Sequence, residues 1–151
     1  MRIVNLIENT EGRSECLYEH GLSFYIETEG HKTLLDLGQT DNSLRNAESL
    51  RVDLKSVDTV VLSHGHYDHS GGIIPFTKIN DHAVIYMQSS AGGDYYADDG
   101  KMAGDDRYRY IGLNNQSDLT VKSLSATTRK RNQLSSKALP ITASGIMGRI
   151  S

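Results

Sequence analysis

The chain has 151 residues, with 16 lysines and arginines against 19 aspartates and glutamates, and a formal net charge of −3. That length suits one ordinary domain with its own core, and the charge excludes an overall basic surface for a nucleic-acid backbone. No run approaches the roughly eighteen apolar residues that span a bilayer, and the N-terminus lacks the basic-then-apolar layout of a signal peptide, so the expected compartment is the cytoplasm.

The first element expected is a strand at residues 2–7, where an apolar run stops at Glu8 and Asn9. Cys16, the single cysteine, cannot form an internal disulfide; it reads as a small buried hydrophobe, with no histidine within three residues. Residues 22–28 are β-rich. Residues 29–32 make a hairpin turn into residues 33–37, and Gly38 ends that strand, so two adjacent antiparallel strands result. Asp41, Asn42 and Ser43 offer N-cap chemistry for a helix reaching Leu50, with Leu44, Ala47, Leu50 and Leu54 spaced as its core face. Residues 58–63 are a β-branched run of the kind buried on both faces. This alternation up to residue 90 is the pattern of a layered α/β domain.

The chain then reads Ser63-His64-Gly65-His66-Tyr67-Asp68-His69-Ser70-Gly71-Gly72, which puts three of its six histidines and a carboxylate within six positions. Imidazole nitrogen and carboxylate oxygen suit zinc and similar ions, and the missing thiolates argue against a cysteine-rich structural site. Such a cluster carries a desolvation and repulsion cost that a metal ion offsets. In extended backbone, side chains two apart share one side, so His64 and His66 can hold one ion. Asp68 and His69 are adjacent and need a turn, for which Gly65, Gly71 and Gly72 supply backbone freedom; they read as ligands of a second ion. Two ions roughly 3.5–4 Å apart hold a bridging water, and zinc lowers the pKa of bound water to about 7, so hydrolysis is the favoured chemistry.

Beyond the loop, residues 72–79 open a helix with Pro75 in its first turn, and residues 83–87 return as a strand. His82 reads as a lone surface histidine. Residues 92–115 are rich in glycine, aspartate and tyrosine without the spacing of a calcium loop; they read as a solvated cover over the site, whose tyrosines either line a pocket or anchor the segment. Residues 116–151 show little periodicity, and Arg129-Lys130-Arg131 reads as solvated surface, so no nucleic-acid partner is expected.

The motif from His64 to His69, followed by Ser70-Gly71-Gly72, resembles the His-x-His-x-Asp-His signature of the metallo-β-lactamase superfamily. Residues 19–24, 35–39, 62–72 and 109–112 resemble a branch of metal-dependent hydrolases that includes dihydropterin-methyl-ribofuranosylaminobenzene-phosphate synthase-like proteins. The resemblance implies an α/β (α+β) fold. Residues 1–113 would form the N-terminal half of an αββα sandwich, a mixed sheet with flanking helices, and residues 114–151 a divergent polar tail. It further implies two divalent ions, zinc first with manganese or iron as alternatives, at one edge between two sheets. His64 and His66 would hold one ion, and Asp68 and His69 the other. Asp68 would also orient the attacking hydroxide as the catalytic residue, with Asp36 as a supporting carboxylate.

The family's full site takes further downstream histidines, whereas this chain has none after His82, leaving two identified ligands per ion where a catalytic zinc has three. Three functions therefore stand. The first is a metal-dependent hydrolase of a small-molecule substrate. The second is a truncated, non-catalytic remnant or interaction module that binds metal weakly, and the third is a transferase like the pterin-linked synthase. Half a sandwich would leave an inner sheet face open, for which a homodimer is the expected cover; no membrane partner is expected.

Overall fold

The computed structural model describes residues 1–98, 108–113 and 138–142. A six-stranded mixed sheet has the order β1-β2-β3-β4-β5-β8. Its strands are β1 (Arg2–Ile7), β2 (Ser23–Glu27), β3 (Lys32–Leu35), β4 (Thr59–Leu62), β5 (Val84–Gln88) and β8 (Ala138–Thr142). The first three are antiparallel neighbours, as the turn at residues 29–32 requires, and Thr28 N–H closes that turn on the His31 carbonyl at 2.9 Å. β3, β4 and β5 run parallel. Parallel neighbours cannot be joined by a tight turn, so both connections are crossovers that carry helices. The first holds α1 (Asn42–Ser49); the second holds α2 (Tyr67–Ser70) and α3 (Ile73–Thr77). A separate two-stranded sheet pairs β6 (Tyr96–Asp98) with β7 (Tyr108–Tyr110).

The core follows the two-residue period of the strands. Tyr25, Leu34, Val60, Leu62, Ile85 and Met87 point to one face and pack in a single cluster with Ala47, Val57, Ile73 and Phe76. Burying each large side chain of this kind contributes roughly 1.5–3 kcal/mol. β4 is not covered on both faces as its composition suggests: Val60 and Leu62 are buried, but Val61 between them is 36 % exposed. On that second face Phe24, Ile26, Leu35 and Tyr86 are only half-buried, so the helices cover one side of the sheet.

α1 also departs from expectation. Asp41 makes no side-chain cap and instead pairs with Arg45 at 3.2 Å, while Thr40 Oγ1 accepts from Asn42 N–H. The helix buries Ser43, Asn46 and Ala47, with Leu44 and Leu50 at the margin. Its inner face is therefore partly polar, for a specific reason. Asn46 Nδ2 donates to the Leu6 and Leu17 carbonyls, both at 2.7 Å, and its Oδ1 accepts from Leu17 N–H at 2.8 Å, stitching α1 to β1 and to the loop before β2. Ser43 Oγ donates to the Leu37 carbonyl at 2.6 Å. Cys16, expected to be buried, is half-exposed.

β8 is a strand in a stretch where the sequence shows no period; the rest of residues 114–151, Arg129-Lys130-Arg131 included, lies outside the described residues. Among the described residues no helix is long and apolar enough to cross a membrane. Because each buried polar group left unpaired costs about 1–3 kcal/mol, Asn46→Ala should lower stability by about 2 kcal/mol or more in urea unfolding. An unchanged midpoint would show that the stitch contributes nothing.

Candidate metal centre

The carboxyl ends of three parallel strands meet at one edge of the sheet, the place where open α/β sheets bind ligands. β3 delivers Asp36, β4 delivers Ser63 through His69, and β5 runs into a short helical turn at Ser89–Gly92. Backbone bonds join them: Asp36 N–H donates to the Val61 carbonyl at 2.9 Å, and Leu37 N–H to the His69 carbonyl at 2.8 Å. The glycines act by lacking a side chain more than by their torsions. Gly71 and Gly72 have ordinary right-handed backbone, and positive φ among the described glycines occurs at Gly21 and Gly38. A Cβ on Gly65 would collide with the Ala91 carbonyl, and one on Gly72 with the Leu37 carbonyl. These two positions let the ligand loop lie directly on its neighbours.

Asp36 is the organising residue. It adopts the left-handed region at φ 54°, which a short polar side chain tolerates, and is 1 % exposed. Its Oδ1 accepts from Ser63 N–H at 2.8 Å; its Oδ2 accepts from Ser63 Oγ at 2.7 Å and stands 2.8 Å from His69 Nδ1. A carboxylate only accepts, so His69 carries its proton on Nδ1. Ser63 spends its one hydroxyl proton on Asp36 and must accept from His64 Nδ1, which lies 2.8 Å away. One carboxylate thus sets two tautomers, leaving the Nε2 lone pairs of His64 and His69 available. This is the arrangement in which a carboxylate orients a metal-binding histidine.

The rings are gathered closely. His64 lies with its centroid 4.4 Å from that of His66 and 4.2 Å from that of His69, and Tyr95 meets His66 edge-on at 5.3 Å. Burial, then the neighbouring His69 and His66, pushes the His64 pKa down against the opposing carboxylates of Asp36 and Asp68. The Asp36 bond raises the His69 pKa against the opposing effect of burial. His69 Nε2 stands 3.5 Å from Asp68 Oδ2, and the same oxygen lies 3.3 Å from His20 Nε2.

Every residue read from the motif is therefore in one place: His64, His66 and His69 as a cluster of rings, and Asp68 beside His69. Asp68 and His69 come off the extended row through the turn into α2. His82 is apart from the site, exposed and 3.7 Å from Asp81. Among the described residues no group of three or more His, Cys, Asp or Glu side chains is arranged to hold one ion. By donor chemistry the set nonetheless fits a divalent ion: histidines with Nε2 freed, next to a nearly buried carboxylate.

Sequence reasoning missed Ser63 and His20, and left the role of Tyr95 open. Ser63 carries no signal of its own. Tyr95 anchors the wall of the site, because its hydroxyl donates to the Ser90 carbonyl at 2.6 Å and its carbonyl accepts from Ile111 N–H at 2.8 Å. Tyr67 N–H donates to the Ile111 carbonyl at 3.0 Å, and Arg109 lies 5.9 Å over the Tyr67 ring, so residues 108–113 dock on the ligand loop.

The sequence profile of the metallo-beta-lactamase superfamily matches residues 18–118, and the chain belongs to that family. It is 35 % identical over 111 residues to an uncharacterised protein, MJ0448, of Methanocaldococcus jannaschii, covering 74 % of this chain and 40 % of that one. It is 34 % identical over 93 residues to the 7,8-dihydropterin-6-methyl-4-(beta-D-ribofuranosyl)-aminobenzene-5'-phosphate synthase of the same organism, covering 57 % of this chain and 32 % of that protein. Among solved structures it is similar to Tm1679, a metal-dependent hydrolase of the beta-lactamase superfamily, with a TM-score of 0.53, 28 % identity, and coverage of 73 % and 35 %. The mixed sheet with its helices is a partial metallo-β-lactamase fold, and the chain spans about 40 % of the length of MJ0448.

Asp36→Asn keeps the shape and the left-handed backbone but leaves one acceptor oxygen where two served, so either Ser63 N–H or the Ser63 Oγ and His69 Nδ1 pair faces an amide donor and the network that orients the histidines is broken. Loss of such an orienting partner weakens metal affinity by about 10–100-fold, and zinc competition against a chromophoric chelator should show that fall. Equal affinity in the variant would remove Asp36 from its organising role.

Proposed function

We propose that this chain carries the ligand loop of a metal-dependent hydrolase, with His64 and His66 directed to one divalent ion and Asp68 and His69 to a second. Zinc is the first candidate by donor type, with manganese and iron as alternatives. The observation that carries this reading is the Asp36 network, which presets the Nε2 lone pairs of His64 and His69 at 2.7–2.8 Å contacts. A buried carboxylate that bonds to a serine and a histidine of the loop fixes histidine tautomers in the way a partner of metal-ligating histidines does.

Divalent ions supply Lewis acidity and acidify water to a pKa of about 7, making hydroxide available near neutral pH. The residues do the rest. Asp36 and Ser63 hold His69 and His64 in register, and Gly65 lets the loop seat against Ala91. Asp68, 8 % exposed, would orient the attacking hydroxide toward the substrate. Tyr67 and Tyr95 form the wall on which a small-molecule ester or phosphoester would rest.

That no three donors among the described residues are arranged around one ion favours a second reading, ion binding without turnover. The two separate in one experiment. His66→Ala should lower zinc content by elemental analysis and reduce hydrolysis of nitrophenyl ester or bis-nitrophenyl phosphate by about a hundredfold or more, the scale on which one electrostatic stabiliser acts. Zinc uptake without any hydrolysis by the unaltered chain supports the second reading. Hydrolysis unaffected by His66→Ala places the active site elsewhere.

A further inference from the structure

The small sheet of β6 and β7 carries a charge on the face where packing alone would place none. Its ladder sets Tyr96 opposite Tyr110, Ala97 opposite Arg109 and Asp98 opposite Tyr108, and it continues one step further, where Ile111 N–H donates to the Tyr95 carbonyl at 2.8 Å. Side chains alternate along a strand, so Tyr95, Ala97, Arg109 and Ile111 share one face, and Tyr96, Tyr108 and Tyr110 the other. The first face is turned on the ligand loop: the Tyr95 ring meets His66 edge-on at 5.3 Å, and the Arg109 guanidinium carbon stands 5.9 Å from the centre of the Tyr67 ring. A sheet covered on one side only buries apolar groups inward and keeps charge in water. Here Tyr96 and Tyr108 are 58 % and 57 % exposed, while the permanently charged Arg109 lies on the inward face.

Arg109 is positioned and open at once. Tyr67 N–H donates to the Ile111 carbonyl at 3.0 Å, so backbone bonding just past β7 sets where the strand lies on the loop, and Tyr67 itself stands between His66 and Asp68 in the chain. Tyr95 and Arg109 are diagonal neighbours on the ladder, a placement about 7–8 Å apart that a long side chain spans. Arg109 thus belongs to the wall that already touches His66. A guanidinium lying over a ring is steadied by it while its N–H donors stay available. Arg2, Arg13 and Arg45 pair with Glu27, Glu15 and Asp41, but among the described residues Arg109 has no such carboxylate, and its side chain is exposed. An open guanidinium fork matches an oxyanion, which it holds through paired, charge-assisted hydrogen bonds. We propose that the substrate is an anionic ester or phosphoester, and that Arg109 binds its phosphate or carboxylate group against the Tyr67 ring while the bond to be cleaved lies over the histidines. This rests on the metal-dependent hydrolase reading above and names the class of its substrate.

The test uses the full chain, stripped of metal and dialysed free of chelator so that no ion holds the anion in place of Arg109. It is titrated with phenylphosphonate, with benzoate and with the neutral dimethyl phenylphosphonate, and binding is followed by the 15Nε resonance of Arg109, identified as the signal missing from Arg109→Gln. The unaltered chain should bind one of the two anions about tenfold or more tighter than the neutral ester, with the Arg109 resonance moving alongside, and the tighter anion tells phosphate from carboxylate. Arg109→Gln should lose that preference, and Arg109→Lys, which keeps the charge without the fork, should retain part of it. Because the resonance is read in the unaltered chain, the result stands even where a variant fails to fold. An Arg109 resonance that neither anion moves, or a preference that survives Arg109→Gln, would overturn the proposal and leave the metal reading untouched. Zinc titration of the same protein separates the two: an Arg109-dependent preference in a chain that takes up no zinc keeps the anion site and overturns the metal centre.

Discussion

The structure depends on a single buried carboxylate. Asp36 sits one residue past the end of β3, where its N–H still bonds to the Val61 carbonyl and the parallel pairing of β3 and β4 is carried one step further. A charge so buried is tolerated only when its oxygens are satisfied, and here three donors from β4's exit and α2 satisfy them. The same bonds that make Asp36 acceptable to the fold fix the orientation of Ser63, His64 and His69. Folding and ligand preparation thus share one set of hydrogen bonds.

Around that network the chain is packed backbone to backbone. Gly65 against Ala91, Gly72 against Leu37 and Gly21 against Asp68 are three approaches that no side chain permits. Each joins the exit of one strand to a segment from elsewhere: the turn after β5, the exit of β3, and the loop before β2. The result is a ligand loop held from three sides while its imidazoles remain accessible. Polar stitches play the same part further out. Asn46 ties α1 to the β1 edge, and Asn80 donates to the Leu54 and Val57 carbonyls at 2.9 and 2.8 Å, tying the end of α3 to the entry of β4.

The sheet's two faces tell the rest of the architecture. Helices cover Leu34, Val60, Leu62 and Ile85, while Val61 and its half-buried neighbours Phe24, Leu35 and Tyr86 form the opposite side. The β-branched composition of residues 58–63 does not separate these cases, because Val60 and Val61 carry the same side chain and differ only in which way the pleat turns them.

What the sequence determined alone was local: five of the strands, the hairpin at residues 29–32, the order strand, ligand loop, helix, and the clustering of His64, His66, Asp68 and His69 within six positions. Those follow from side-chain period and turn chemistry, which act over a few residues. Tertiary structure decided what depends on contacts between distant segments. It brought Asp36 to Ser63 and His69 across 27 and 33 residues, and made Gly65 and Gly72 sites of close approach instead of hinges. It also turned Asn46 inward on a helix whose leucines suggested a purely apolar face, and set His20 against Asp68. Hydrogen-bond partners far apart in the chain leave no periodic trace, because nothing in the spacing of one segment records which groups another must satisfy.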